Sequence, residues 1–139
     1  MIIADATDFR GLSRYFAEER RKAFLLLADF VIRDNTSRIA KRIAYDGLPQ
    51  KANAASTVRK KGHSVPLRDK RILENPANYQ VVSSRGGNMV RILVPPSRVI
   101  PLTHLARRGY RYWGVSTEAR QYAQKVLGLA WENAKRRTV

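Results

Sequence analysis

The stretch YQVVSSRGGNMVRILV, Tyr79–Val94, decides the fold class. Tyr79-Gln80-Val81-Val82-Ser83 and Met89-Val90-Arg91-Ile92-Leu93-Val94 are rich in β-branched residues and read as two strands. Between them, Ser84-Arg85-Gly86-Gly87-Asn88 is a glycine turn of the kind that closes a hairpin. Pro95-Pro96 ends the second strand, and Val99-Ile100 reads as a short third strand broken by Pro101. The hairpin therefore spans residues 79–94, and both of its flanks read as helix.

Upstream, Leu12, Phe16, Ala23, Leu27, Phe30 and Val31 recur at three- and four-residue steps, which predicts a long helix over about 12–45. Asp8 or Ser13 is the expected cap, and Asp46-Gly47 with Pro49 the expected stop. Asp34-Asn35-Thr36-Ser37 is the stretch that could interrupt or kink it, with Ile39 and Ile43 carrying it on, and the reading is one long helix. Leu25, Leu26 and Ile32 widen the apolar stripe beyond one face. Such a helix either lies deep in a core or turns its outer side to another subunit. Downstream, Ser116 caps a helix over about 117–135, with Glu118 in its first turn and Lys135-Arg136-Arg137 at its end. Its stripe is Ala119, Tyr122, Ala123, Val126, Ala130 and Ala134, and Gly128 inside it is expected to admit a closely packed neighbour.

Residues 47–78 form a long basic loop, with one short helical turn expected at Ala54–Lys60. The order is helix, loop, hairpin, helix: a single α+β domain over 1–139, its two helices packed on a small antiparallel sheet.

The charge is extreme. Lys and Arg number 27 against 11 acids, a formal +16, with a pI near 11.1. Such a field repels copies of itself and attracts polyanions or acidic protein surfaces. There is no cysteine, which excludes disulfides and thiolate metal sites. The start, MIIADATDFRG, lacks the basic and apolar regions of a signal peptide. The longest apolar run, Ala23–Ala28, falls far short of the ~20 residues needed to span a bilayer. A soluble protein is expected.

Catalytic material is sparse. His63 and His104 stand apart in basic loops with no i, i+4 partner. Asp69 and Glu74 are the only acids of the central segment, too few for metal-dependent phosphoryl chemistry. Gly86-Gly87 has no following Lys-Ser or Lys-Thr to make a phosphate loop. No enzyme, cofactor or metal is expected.

Binding surfaces are better supplied. Arg59, Lys60, Lys61, Arg68, Lys70 and Arg71 put six cations within thirteen residues, with His63 among them. Arg107, Arg108 and Arg111 alternate with Tyr110, Tyr112 and Trp113. Three readings of this second cluster stand: a protein-interface anchor, packing of Tyr112 and Trp113 over the sheet, or a stacking platform for single-stranded nucleic acid. The interface reading ranks first. Both clusters together are the expected contact surface for protein or DNA.

Thr57-Val58-Arg59-Lys60-Lys61-Gly62-His63-Ser64-Val65-Pro66-Leu67-Arg68-Asp69 resembles the loop of bacteriophage virion-morphogenesis and tail-completion proteins. That loop carries a Thr, a Lys-rich stretch and a Pro-Leu-x-Asp turn before a short run into the first strand. Ile72-Leu73-Glu74-Asn75 and Tyr79-Gln80-Val81 stand where the run and strand belong. Trp113-Gly114-Val115-Ser116 matches an aromatic-Gly-apolar-Ser turn that opens the family's last helix. Two departures stand out. Asp69-Lys70-Arg71 replaces the family's Asp-Thr-Gly, and its Tyr-Ala-x-x-His-x-x-Gly segment has no counterpart here.

The resemblance implies a structural virion protein of a tailed bacteriophage: a tail-completion or neck component forming a ring at the head–tail junction. It implies identical subunits and other neck, connector or tail proteins as partners, contact with DNA in the channel, and assembly in the host cytoplasm. At +16, free subunits should repel, so assembly is expected to be templated or salt-dependent. The alternative reading is a non-enzymatic nucleic-acid-binding protein that grips phosphates through its basic loops.

Overall fold

The computed structural model describes residues 6–41, 43–48, 72–86, 88–95, 107 and 113–138. Within them the chain is α+β. Helix α1 (Ala6–Lys41) is followed by a 3-10 turn (Pro76–Asn78), strands β1 (Gln80–Ser83) and β2 (Val90–Leu93), and helix α2 (Thr117–Thr138). Val99-Ile100, the expected third strand, and the expected turn at Ala54–Lys60 lie outside the described residues.

Helix α1 begins at least six residues before the expected start, so Asp8 and Ser13 lie inside it rather than capping it. It runs unbroken through Asp34–Ser37 as the one long helix expected. The reason is where the polar side chains send their hydrogen bonds. Asn35 Nδ2 donates to the Val31 carbonyl at 2.9 Å and Thr36 Oγ1 to the Ile32 carbonyl at 2.8 Å. Asp34 holds Arg38 at 3.1 Å one turn on. Asn35 and Thr36 thus bond back to carbonyls one turn earlier, sharing acceptors of the helical ladder, so their polar groups are satisfied within a continuing helix. The helix stops at Lys41, short of the expected 45, where the Ile43 N–H reaches back to the Arg38 carbonyl at 2.9 Å. Gly47, at φ 85°, then lets the Ala44 N–H bond the Leu48 carbonyl at 2.8 Å.

Helices α1 and α2 pack antiparallel along their lengths. Ala23, Val126 and Ala130 are buried between them, with Phe16, Tyr122 and Leu127 packed alongside. Phe30 stacks on Tyr122 with centroids 4.5 Å apart, and Phe16 meets Trp131 edge-on at 5.3 Å. The stripe read from the sequence lies on this face: Ala119, Val126, Ala130 and Ala134 are all buried. Gly128 is different. It is exposed, and no neighbour lies within 4 Å of where a Cβ would stand. The expected packing over Gly128 is therefore incorrect, because the residue falls on the solvent side of the buried stripe.

Strands β1 and β2 pair antiparallel, Gln80 with Leu93, Val81 with Ile92, Val82 with Arg91 and Ser83 with Val90. Ser84 N–H to the Met89 carbonyl, 2.9 Å, and Met89 N–H to Ser84 Oγ, 3.1 Å, tie the turn. The sheet packs on the C-terminal half of α1. A second core forms there from Ile32, Ile39, Leu73 and Tyr79, with Ile92, Val94 and Trp113 packed against it. Asn75 caps the 3-10 turn through the Ala77 N–H at 3.0 Å, and the Tyr79 hydroxyl donates to the Leu73 carbonyl at 2.9 Å.

One contact joins the two cores. Asn35 is 1% exposed, and its amide makes three hydrogen bonds: both N–H groups donate and Oδ1 accepts. Besides the Val31 bond, Nδ2 donates to the Gly114 carbonyl at 2.9 Å, and Oδ1 accepts the Gly114 N–H at 3.1 Å. Gly114 has to be glycine for a steric reason. A Cβ there would stand 2.5 Å from Tyr45 Cγ and under 3 Å from both Cδ atoms. Those atoms are the root of the ring, which cannot swing aside as a flexible tip would.

Asn35→Ala leaves the part-buried N–H and C=O of Gly114 without their partner, where a fully buried group would cost about 1–3 kcal/mol each. Urea unfolding should therefore show a loss of about 2–4 kcal/mol. Gly114→Ala should destabilise as well and displace the Tyr45 ring, seen as a shift of its NMR resonances. A midpoint unchanged in both variants would remove this contact from its central place.

Candidate functional site

The residues singled out in the sequence divide sharply. Arg59, Lys60, Lys61, His63, Arg68, Lys70 and Arg71 lie outside the described residues, as do Arg108, Tyr110, Arg111 and Tyr112. Arg107 is described and exposed. Trp113 is half-buried, its ring stacked on Tyr79 at 5.0 Å with the planes 20° apart. Of the three readings of this tryptophan, packing over the sheet describes its position. Burial pushes the Tyr79 phenol well above its usual range.

From Trp113 the chain enters α2 through a polar clip. Ser116 is 2% exposed; its Oγ donates to Asp34 Oδ2 at 2.7 Å and accepts the Ala119 N–H at 3.1 Å. Ser116 is thus the N-cap expected from the sequence, and it is also held to the partner helix. Arg38 completes the clip, reaching Asp34 at 3.1 Å and Glu118 at 2.9 Å. At the far end of the pair, Arg137 reaches Glu18 at 2.7 Å and Glu19 at 3.0 Å, and lies over the Tyr15 ring at 4.3 Å.

These pairs set the electrostatics of the surface. Glu18, Glu19, Asp29, Asp34, Glu118 and Glu132 all sit in ion pairs within the chain. Arg21, Arg85, Arg91, Arg120, Lys125 and Arg136 are exposed, and none of them has a carboxylate within 4 Å among the described residues. The surface therefore offers cations, while the helices' carboxylates are engaged internally. Among the described residues, no group of three or more His, Asp or Glu is placed to hold a metal ion. No helix among them is long and apolar enough to cross a membrane.

Two surfaces that composition did not single out are apolar and open. Along one edge of the α1–α2 seam runs a groove with two hollows, of about 250 and 400 Å³, that share Leu26. Leu26 is 55% exposed and Leu129, across the seam, 50%. The outer face of the hairpin carries Val82 and Leu93, with Met89 just before β2, each more than 40% exposed. The sequence held a partial signal for the groove, since Leu25 and Leu26 overfill the helical stripe.

No family model, curated protein or solved structure matches this chain.

The Glu19 carboxyl, 11% exposed, sits below the ordinary range. Burial pushes it up, but hydrogen bonds and charge from Arg137 and Lys22 outweigh that. A carboxyl depressed by folding contributes stability above its unfolded pKa, near 4.5, and loses it as pH falls through the folded value. The unfolding midpoint should therefore drop between pH 5 and pH 3, and Glu19→Gln should be less stable at pH 7 with a shallower drop. Parallel profiles for the two proteins would exclude Glu19 as a source of the acid sensitivity.

Proposed function

We propose that this chain is a structural, non-enzymatic virion protein of a tailed bacteriophage. It acts as a tail-completion or neck component that forms a ring at the head–tail junction through subunit contacts and charge. The resemblance of Thr57–Asp69 and of Trp113–Ser116 to that family supports the reading. So does the α+β frame of long first helix, hairpin and last helix. The observation that carries it is the pairing of open apolar surface with engaged acids. Leu26 and Leu129 stand exposed on a helix pair whose carboxylates are held internally, a surface suited to contact with protein rather than phosphate. The partners proposed are further copies of the chain and adjacent neck, connector or tail proteins, with assembly in the host cytoplasm and residence in the virion.

A second reading has its own observation. The exposed cations Arg21, Arg85, Arg91, Arg120, Lys125 and Arg136 are available to phosphates, as a free nucleic-acid binder requires. In a ring the same cations face DNA in the channel or an acidic partner.

The two readings part in a binding experiment. A ring component should co-sediment with connector-bearing heads or with tails lacking this protein, and restore their joining, while holding free duplex DNA weakly. A phosphate binder should hold free DNA with log affinity falling by about 0.9 per contacted phosphate for each unit of log salt. Tight, steeply salt-dependent DNA binding without particle docking would overturn the virion reading.

A further inference from the structure

Helix α1 changes character along one of its faces. At 3.6 residues per turn, about 18 residues make five full turns, so positions that far apart lie in line. Arg10, Arg14 and Arg21 are aligned in this way with Ala28, Ile32 and Ile39. Those last three are buried, Ile32 and Ile39 in the core shared with the hairpin. The three arginines are exposed. One face is thus apolar and covered in its C-terminal half, cationic and open in its N-terminal half. The charge there is not neutralised: none of the three arginines has a carboxylate within 4 Å among the described residues. Arg10 has no acid three or four residues away. Glu18 stands four residues from Arg14 and three from Arg21, the spacing of a helical ion pair. Its carboxylate is taken across the seam instead, by Arg137 at 2.7 Å. Arg14 rests on a neutral group. Its Nη2 donates to the Tyr15 hydroxyl at 3.1 Å and its guanidinium lies 4.9 Å from the ring centroid, so the side chain is steadied with its charge intact.

We infer that this row, Arg10, Arg14 and Arg21, docks on the phosphate backbone of duplex DNA. Like charges one turn apart, as at Arg10 and Arg14, weaken a helix until an outside anion relieves them. Inside the row the helix places only Ser13 and Ala17. The face therefore lacks the apolar centre of a protein interface and the aromatic platform of a single-strand binder. The row is about 17 Å long at ~1.5 Å per residue, and a duplex carries a phosphate about every 1.7 Å of its axis. Phosphates therefore meet the row whatever the base sequence, and the contact is sequence-independent. Three contacts hold a lone chain weakly, and copies that share one duplex multiply the grip. The inference deepens the reading above by naming the side of each subunit that DNA meets, and rests on it for the expectation that copies share a duplex.

The test is the salt dependence of binding to a fluorescent duplex DNA, followed by anisotropy with the purified full chain. The variant carries Arg10→Gln, Arg14→Gln and Arg21→Gln together. Each phosphate contact contributes about 0.9 to the slope of log affinity against log salt, so the variant's slope should be shallower by about 2.7. Between about 50 and 200 mM salt the unaltered chain should then lose about 40-fold more affinity than the variant. A charge-matched control carries Arg120→Gln, Lys125→Gln and Arg136→Gln, which removes exposed cations from α2 instead. Its slope should equal that of the unaltered chain. An unchanged slope in the α1 variant overturns the proposal. So does an equal loss in the α2 control, which would mean diffuse charge rather than a face, or an unaltered chain that fails to bind the duplex at all. Failure here removes the row as a DNA contact and leaves particle docking untouched, whereas failure of docking with the slopes as expected removes the virion role and leaves the row.

Discussion

The structure depends on a side-chain amide that pairs with a peptide unit 79 residues away in sequence. Asn35 offers Gly114 the donor and acceptor that a neighbouring strand would offer, and does so where water is excluded. An unmet partner there would be costly, so the two groups fix each other's position more sharply than apolar packing does. Everything downstream inherits that position. Trp113, one residue before, is set on Tyr79 over the sheet; Ser116, two residues after, is set on Asp34 at the head of α2. Tyr45 lies across Gly114 and brings the exit of α1 into the same knot.

Around that knot the energetics are divided. The seam between the helices is largely alanine, and each buried methyl contributes only about 0.8 kcal/mol. Orientation is therefore assigned to the polar clips at either end, Asp34–Ser116–Arg38–Glu118 and Glu18–Glu19–Arg137. The same clips settle the outward charge. The carboxylates of the helices are paired within the chain, and a sequence with 27 cations against 11 acids leaves other cations, such as Arg21 and Arg120, exposed with no carboxylate partner among the described residues.

Much of this frame was legible in the sequence. The β-branched strands and glycine turn of Tyr79–Val94 made the hairpin legible, because such residues suit a pleated sheet and glycine suits its turn. The alanine stripe of α2 and its Ser116 cap were legible for the matching reason at a period of 3.6. What misled was polar. Asp34-Asn35-Thr36 looks like a helix breaker when its partners are unknown, and those partners at Gly114 and Ser116 come from a distant segment. Gly128 looked like a close contact, yet glycine alone does not say which side of a helix faces a neighbour. For the site, charge density drew the eye to Arg59–Arg71, outside the described residues, and to Trp113, which packs over the sheet. The groove left only a faint trace, the surplus apolar residues Leu25 and Leu26.

The two clips have a mechanical corollary. Helix α2 is about 33 Å long at 1.5 Å per residue, and it is fastened to α1 near both ends, by Ser116 and by Arg137. A beam pinned at two points can neither slide nor swivel on its neighbour. The helix pair therefore keeps a set register, with each end of α2 held opposite a fixed point of α1.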